Sequence, residues 1–299
     1  MMHCVYDPLY SQLVLPERHR YPISKYGLLH QALQATDLPI QWHRPQGITP
    51  EQLALVHDTD YLTRFLNGTL SSTALRRIGF PWSEQLVQRT LRSCGGTLAT
   101  ATLAVEHGVA CHLSGGYHHA HHDFGSGFCI FNDLVVTAAT LQQQGLGRVL
   151  IFDCDVHQGD GSATLAADKP EIITVSLHCE KNFPARKPPS DVDIPLPRQM
   201  GDDAYLDSVT TVLPWVLSLY QPELVLYDAG VDIHQEDALG HLAVSTEGLY
   251  RRDRAVLAEC RQRGIPVAAV IGGGYADDPA ALTPRHLQLF HAAEDTRHL

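Results

Sequence analysis

The sequence predicts a single-domain α/β fold in which a mainly parallel sheet is covered by helices on both faces. Three observations predict it. Short apolar runs alternate with longer stretches of helical periodicity along most of the chain. Several of those runs are apolar at nearly every position, as strands buried on both faces must be. No internal repeat and no Gly/Ser-rich linker divides the 299 residues, so 1–299 is read as one domain.

The elements follow in order. LALVH at 53–57 is the first run with strand character. Ser83 stands where an N-cap opens a helix over 84–106. VACHL (109–113) is the next strand, and Asn132 caps a helix over 132–144. RVLIFD (148–153) and EIITVSL (171–177) are two further apolar strands. FPARKPPSDVDIPLP (183–197) has five prolines in fifteen residues, too rigid and irregular for a strand or helix, and is expected to be a surface excursion. A helix over 203–219 leads to the strand ELVLYD (223–228). Ser245 and the first-turn pair Thr246-Glu247 then open a helix over 246–263. PVAAVI (266–271) is the last strand.

Composition limits the function classes. With 22 Lys+Arg against 33 Asp+Glu the formal charge is 22 − 33 = −11, which argues against direct nucleic-acid binding because phosphate neutralisation needs a basic surface. Hydrophobic residues at 44% and charged residues at 18% exclude a disordered chain. The seven cysteines (4, 94, 111, 129, 154, 179 and 260) are odd in number and form no CxxC, which fits a reducing compartment. The opening MMHCVYDPLY has no basic region followed by an apolar stretch, and no run reaches the roughly 18 apolar residues of a membrane span. A cytoplasmic location is expected.

In open parallel sheets ligands bind at the carboxyl ends of the strands, so the chemistry is sought there. VLIFDCDVHQGDG (149–161) carries Asp153-x-Asp155-x-His157, three groups that an extended chain would point one way as a platform for Zn²⁺ or a related ion. The alternative is a solvated polar strand end. LVLYDAGVDIHQED (224–237) offers Asp228 or Asp232 as a third carboxylate; Asp232, beyond the strand, is the better candidate, and Asp228 could be hydrogen-bonded structure. HLSGGYHHAHHDFGSGFCIFND (112–133) packs five histidines into eleven residues beside a Gly-Gly bend, suited to proton transfer or metal binding unless it is a surface histidine tract. VIGGGYADD (270–278) fails the phosphate-loop patterns and presents Tyr275, whose hydroxyl could stabilise an oxyanion or simply be structural.

Taken in order, GGYHHAHHDFGSGFCIFND, DCDVHQGDG, SLH at 176–178, AGVDIHQED and GGGY resemble the zinc-dependent histone deacetylase superfamily. The YDPLYS and PERHRYPISKY segments fit the same family's N-terminal region, and HQGDG with LGHLAVSTEGLYRRD is most similar to its class IV branch and bacterial relatives. The resemblance implies the arginase/deacetylase fold, three layers with a central eight-stranded sheet. It implies Asp155, His157 and Asp232 as ligands of one Zn²⁺, and His118 and His119 as tandem catalytic histidines with Asp153 and Asp160 as their carboxylate partners. Tyr275 matches the catalytic tyrosine, and Gly127, Phe128 and Phe183 the walls of a substrate tunnel. A structural K⁺ is implied at Asp153, Asp155, His157, Ser176 and Leu177. Tyr117 replaces the family's Trp, and Gln158 replaces the second His of the pair found in class I relatives.

The implied activity is hydrolysis of an N-acylated amine, acetyl or longer, such as acyl-lysine, with acetylpolyamines and other small amides as alternatives. An arginase-like ureohydrolase shares the fold but needs further bridging carboxylates, and position 159 is Gly. A silent acyl-lysine reader would have lost some of the histidines, ligands or tyrosine, and none is missing.

Overall fold

The computed structural model describes all 299 residues. Eight strands form one sheet: β1 (Met2–Val5), β2 (Ile40–His43), β3 (Val109–His112), β4 (Val149–Asp153), β5 (Ile172–Cys179), β6 (Val192–Leu196), β7 (Leu224–Asp228) and β8 (Val267–Val270). Their order is β2-β1-β3-β8-β7-β4-β5-β6 and every pairing is parallel. All carboxyl ends therefore lie on one rim. The sequence explains the centre of the sheet: β4, β7 and β8 are buried at every position. Both faces are covered by helices, as such strands demand. Glu84–His107 and Asp133–Gln143 pack together as one group; Asp202–Tyr220, Thr246–Gln262 and Thr283–Asp295 form another. A single cluster of 75 buried hydrophobic residues joins sheet and helices. No helix is long and apolar enough to cross a membrane.

The expected helix starts are observed. Ser83, Asn132 and Ser245 accept hydrogen bonds from the backbone N–H of Leu86, Val135 and Gly248.

Three expectations fail. LALVH (53–57) is no strand: Leu53 ends the helix Pro50–Leu53 and a turn follows, because Thr49 and Gln52 form a capping box that starts a helix just upstream. The proline-rich 183–197 segment is not irregular throughout, since β6 occupies its end. As an edge strand paired only with β5, β6 tolerates Pro195 without a donor. Finally, β4 ends at Asp153, and residues 154–159 are a bent loop, so Asp153, Asp155 and His157 do not share the face of one extended strand. Cys154 and Val156 are fully buried as well.

Candidate metal centre and active site

Four strand ends build the site: the loops after β3, β4, β7 and β8. They bring two groups of donor atoms side by side. Single ligand atoms of Asp155, His157 and Asp232 all lie within 4.8 Å of one another, and the same holds for His118, Asp153 and Asp228. All six residues are buried.

In the first group, His157 Nδ1 lies 3.0 Å from Asp155 Oδ1 and 3.2 Å from Asp232 Oδ2. Backbone N–H groups hold both carboxylates: His157 donates to Asp155 Oδ1 (2.9 Å), Gly273 to Asp155 Oδ2 (3.1 Å) and Val156 to Asp232 Oδ1 (2.9 Å). Asp232 Oδ2 is buried and receives no hydrogen bond. A Cβ on Gly273 would stand 2.2 Å from that oxygen and 2.3 Å from Asp155 Oδ2, so only glycine leaves this cradle open. The electrostatics agree. Burial, then the charge of Asp155, pushes the Asp232 carboxyl up to about 7. Burial opposes charge on His157, yet its hydrogen bond to Asp155 and the nearby Asp232 carboxylate raise its pKa to about 10. Two carboxylates and an imidazole, one oxygen unbonded, form a donor set that fits Zn²⁺ or a similar cation.

Beside it stand the paired histidines. His118 Nδ1 donates to Asp153 Oδ2 (2.7 Å), His119 Nδ1 to Asp160 Oδ1 (2.5 Å), and the two Nε2 atoms are 3.1 Å apart. Their environments pull them in opposite directions. Burial works against a charged His118, but Asp153 and Asp155 raise its pKa well above the ordinary imidazole value. Burial and the neighbouring His118 lower His119 to about 4. One proton is thus held on His118 while His119 stays neutral, its unprotonated Nε2 facing His118 Nε2 at 3.1 Å.

Tyr275 is placed at the rim of the same cavity by its backbone N–H, which donates to Asp237 Oδ2 (2.7 Å). Burial, followed by the charge of Asp155, raises its phenol well above 10, so it remains a hydrogen-bond donor. The cavity measures about 800 Å³. Phe128 packs on Tyr275 with ring centroids 6.0 Å apart, and Phe183, 42% exposed, stands edge-on to His119 at 4.8 Å. Gly127 lies between them at φ +54°, where a Cβ would meet His119 Cδ2 at 2.8 Å.

Ser176 and Leu177 are buried on β5, with Ser176 level with Asp153. Ser176 Oγ is bonded to His178 Nδ1 (3.0 Å), and Asp153 Oδ1 accepts from the Asp155 N–H (3.0 Å). Asp228 differs from expectation: it is fully buried and neither carboxylate oxygen has a hydrogen-bond partner.

Several supporting residues escaped sequence reasoning. Asp133 accepts from the N–H groups of Gly116 (3.1 Å) and Tyr117 (2.7 Å), fixing the turn before His118. Arg252, wholly buried, donates to the carbonyls of Gly230 (2.6 Å) and Ala229 (3.1 Å), holding the loop that carries Asp232. Lys25 Nζ donates to Gly272 O (3.0 Å). Only Asp133 had a signal available, its place at a helix start beside the Gly-Gly bend; the others act from distant elements.

The model of the histone deacetylase domain matches residues 19–288. An uncharacterized protein of Picosynechococcus sp. is 51% identical over 97% of this chain and 98% of its own length. Histone deacetylase 2 of Arabidopsis thaliana is 32% identical over 76% of this chain, which spans 62% of that relative. The acetoin utilization protein AcuC of Staphylococcus aureus is 29% identical over 91% of this chain and 76% of its own length. The solved HDA15 HD domain shares the fold, with TM-score 0.81 at 20% identity, covering 98% of this chain and 88% of that one. The chain belongs to the histone deacetylase family.

Proposed function

We propose that residues 1–299 act as one Zn²⁺-dependent deacylase domain that hydrolyses N-acylated amines such as acyl-lysine. The observation that carries this is the histidine pair, its Nε2 atoms 3.1 Å apart and each ring bonded to its own buried carboxylate, beside a three-donor cation cradle in a single cavity. Asp155, His157 and Asp232 would hold the metal. When bound, the cation polarises the acyl carbonyl and makes water a better nucleophile near neutral pH.

The remaining steps belong to the chain. His119 Nε2 takes the proton of the attacking water, because Asp160 fixes its other nitrogen as the N–H. His118, kept charged by Asp153, stabilises the negative charge that develops. Tyr275 donates its hydroxyl proton in a hydrogen bond to the oxyanion. His119 then returns the proton to the leaving nitrogen, giving a free amine and a carboxylate. Gly127, Phe128 and Phe183 line the way in and keep bulk water from the acyl group.

A monovalent cation such as K⁺ is proposed beside this site. The carbonyl oxygens of Asp155 and His157, in a buried loop, accept no hydrogen bond within the chain and fit such an ion. Asp153, Ser176 and Leu177 would complete the set.

The test is a metal-quantified preparation assayed on acetyl-lysine peptide, myristoyl-lysine peptide and acetylpolyamine. One zinc per chain with release of the free amine from at least one of them is expected. Asp232→Ala should lose both metal and turnover; a variant that keeps stoichiometric zinc removes Asp232 from the ligand set.

A further inference from the structure

Acidic residues outnumber basic ones, 33 to 22, yet the exposed charged residues that line the active-site cavity are both arginines. Arg77 stands in the last turn of the short helix Ser72–Ile78, and Arg186 lies on the loop after Phe183; both are exposed and both line the cavity. Neither takes part in an ion pair. The carboxylates of the cavity wall, Asp155 and Asp160, are deep, and each is already bonded to histidine. The exposed acids nearest along the chain, Glu84 to Arg77 and Glu180 and Asp191 to Arg186, are not part of the wall.

Arg77 is also held ready. Its guanidinium lies 3.5 Å from the centre of the Phe124 ring, and Phe124 stacks on His121 at 4.3 Å. His121 Nε2 in turn donates to Asp160 Oδ2 (3.2 Å). A stacked guanidinium has surrendered much of its freedom before a ligand arrives, so binding costs less entropy. On the other side, Lys187 Nζ ties the loop around Arg186 by donating to Asn182 O (2.8 Å) and Pro184 O (2.6 Å). A mouth carrying guanidinium groups and no exposed carboxylate repels a polyamine tail and attracts an anion.

We propose that the mouth selects acylated amines whose far end bears a carboxylate, held between Arg77 and Arg186. The proposal rests on the deacylase reading above and narrows its substrate class. The carboxylate could be the free α-carboxylate of an acylated amino acid or an acidic side chain in a peptide, and the chemistry is the same.

The test uses Nα-blocked Nε-acetyl-lysine ending in a free carboxylate, a neutral methylamide or a cationic aminoethylamide, with a peptide carrying aspartate after the acyl-lysine as a fourth arm. The expected kcat/KM is roughly tenfold higher for the carboxylate than for the methylamide, and lowest for the cation, with the ratio shrinking as salt rises. The double variant Arg77→Glu, Arg186→Glu should reverse the order. A preference for the cation in the parent protein, or an unchanged order in the variant, overturns the proposal. The aspartate peptide distinguishes the two carboxylate sources by the size of its own gain. Linear hydroxamates ending in the same three groups give an independent reading through their Kd. If no substrate is turned over, the deacylase reading fails, while a carboxylate-first order of Kd still supports the charge selection and any other order overturns it.

Discussion

Five histidines crowd the segment 112–122, and each has a different task. His112 is a core residue between Tyr10 and Thr97, lowered by burial to about 3 and therefore neutral. His118 and His119 form the divided pair. His121 buttresses Asp160, and His122 Nδ1 donates to Val56 O (2.8 Å), fastening one loop to another. Opposite the pair, Tyr275 is the only cavity-lining hydroxyl proposed to act on the reacting atoms, and nothing in its backbone anchor at Asp237 depends on the phenol oxygen. Tyr275→Phe should accordingly keep its zinc content and lose roughly two to three orders of magnitude in kcat, the cost of one oxyanion donor. Turnover near that of the parent, with metal retained, would take Tyr275 out of the mechanism.

The loops that carry the site are fixed by elements far away in sequence, and Arg252 is the clearest example. It sits on the helix Thr246–Gln262, pairs with Asp253 through Nε (2.9 Å) and caps two carbonyls just ahead of Asp232. Arg252→Met leaves Asp253 buried without its cation, so unfolding stability should drop by about 3–5 kcal/mol, measured by urea denaturation, with weakened zinc retention. A loss below about 1 kcal/mol would mean that the pair is dispensable. The same separation explains which elements were legible in the sequence. The buried central strands β4, β7 and β8 were clear from their continuous apolar runs. The edge strands β2 and β6, half-exposed and containing Gln41 or Pro195, carry no such run. β1 is only four residues long and is recognised by its pairing rather than its pattern. The candidate site residues on strand-end motifs stand out in the sequence because the metal and proton chemistry expected of them restricts residue type. Arg252, Asp237 and Lys25 were not, because a residue that holds a backbone carbonyl or N–H can come from anywhere in the fold.

At the scale of the whole molecule, the histidine loop and the start of the helix Asp133–Gln143 are joined through hydrogen bonds that require a neutral histidine. His57 Nδ1 donates to His121 O (2.8 Å), while His57 Nε2 accepts from the Asn132 N–H (2.9 Å). Protonation would place a second N–H against Asn132 and break the link between the turn after Leu53, the histidine loop and the helix Asp133–Gln143. Burial lowers the His57 pKa from 6.5 to about 4, so between those values the unfolded chain binds the proton and the folded chain does not. Stability from this residue is therefore complete above pH 6.5 and falls as the pH drops toward 4. At pH 5 the loss is about 2 kcal/mol, from the 6.5 and 4 endpoints. His57→Gln should be less stable than the parent at pH 7, where it loses one of the two fitted contacts. It should also show a shallower decline between pH 7 and pH 5, by that same margin. Parallel pH profiles for variant and parent would mean that the His57 proton plays no part in acid unfolding. The margin matters for the site as well: Asn132 caps the helix whose first residue, Asp133, fixes the Gly116–Tyr117 turn, so acid loosening at His57 reaches His118 through two hydrogen-bonded residues.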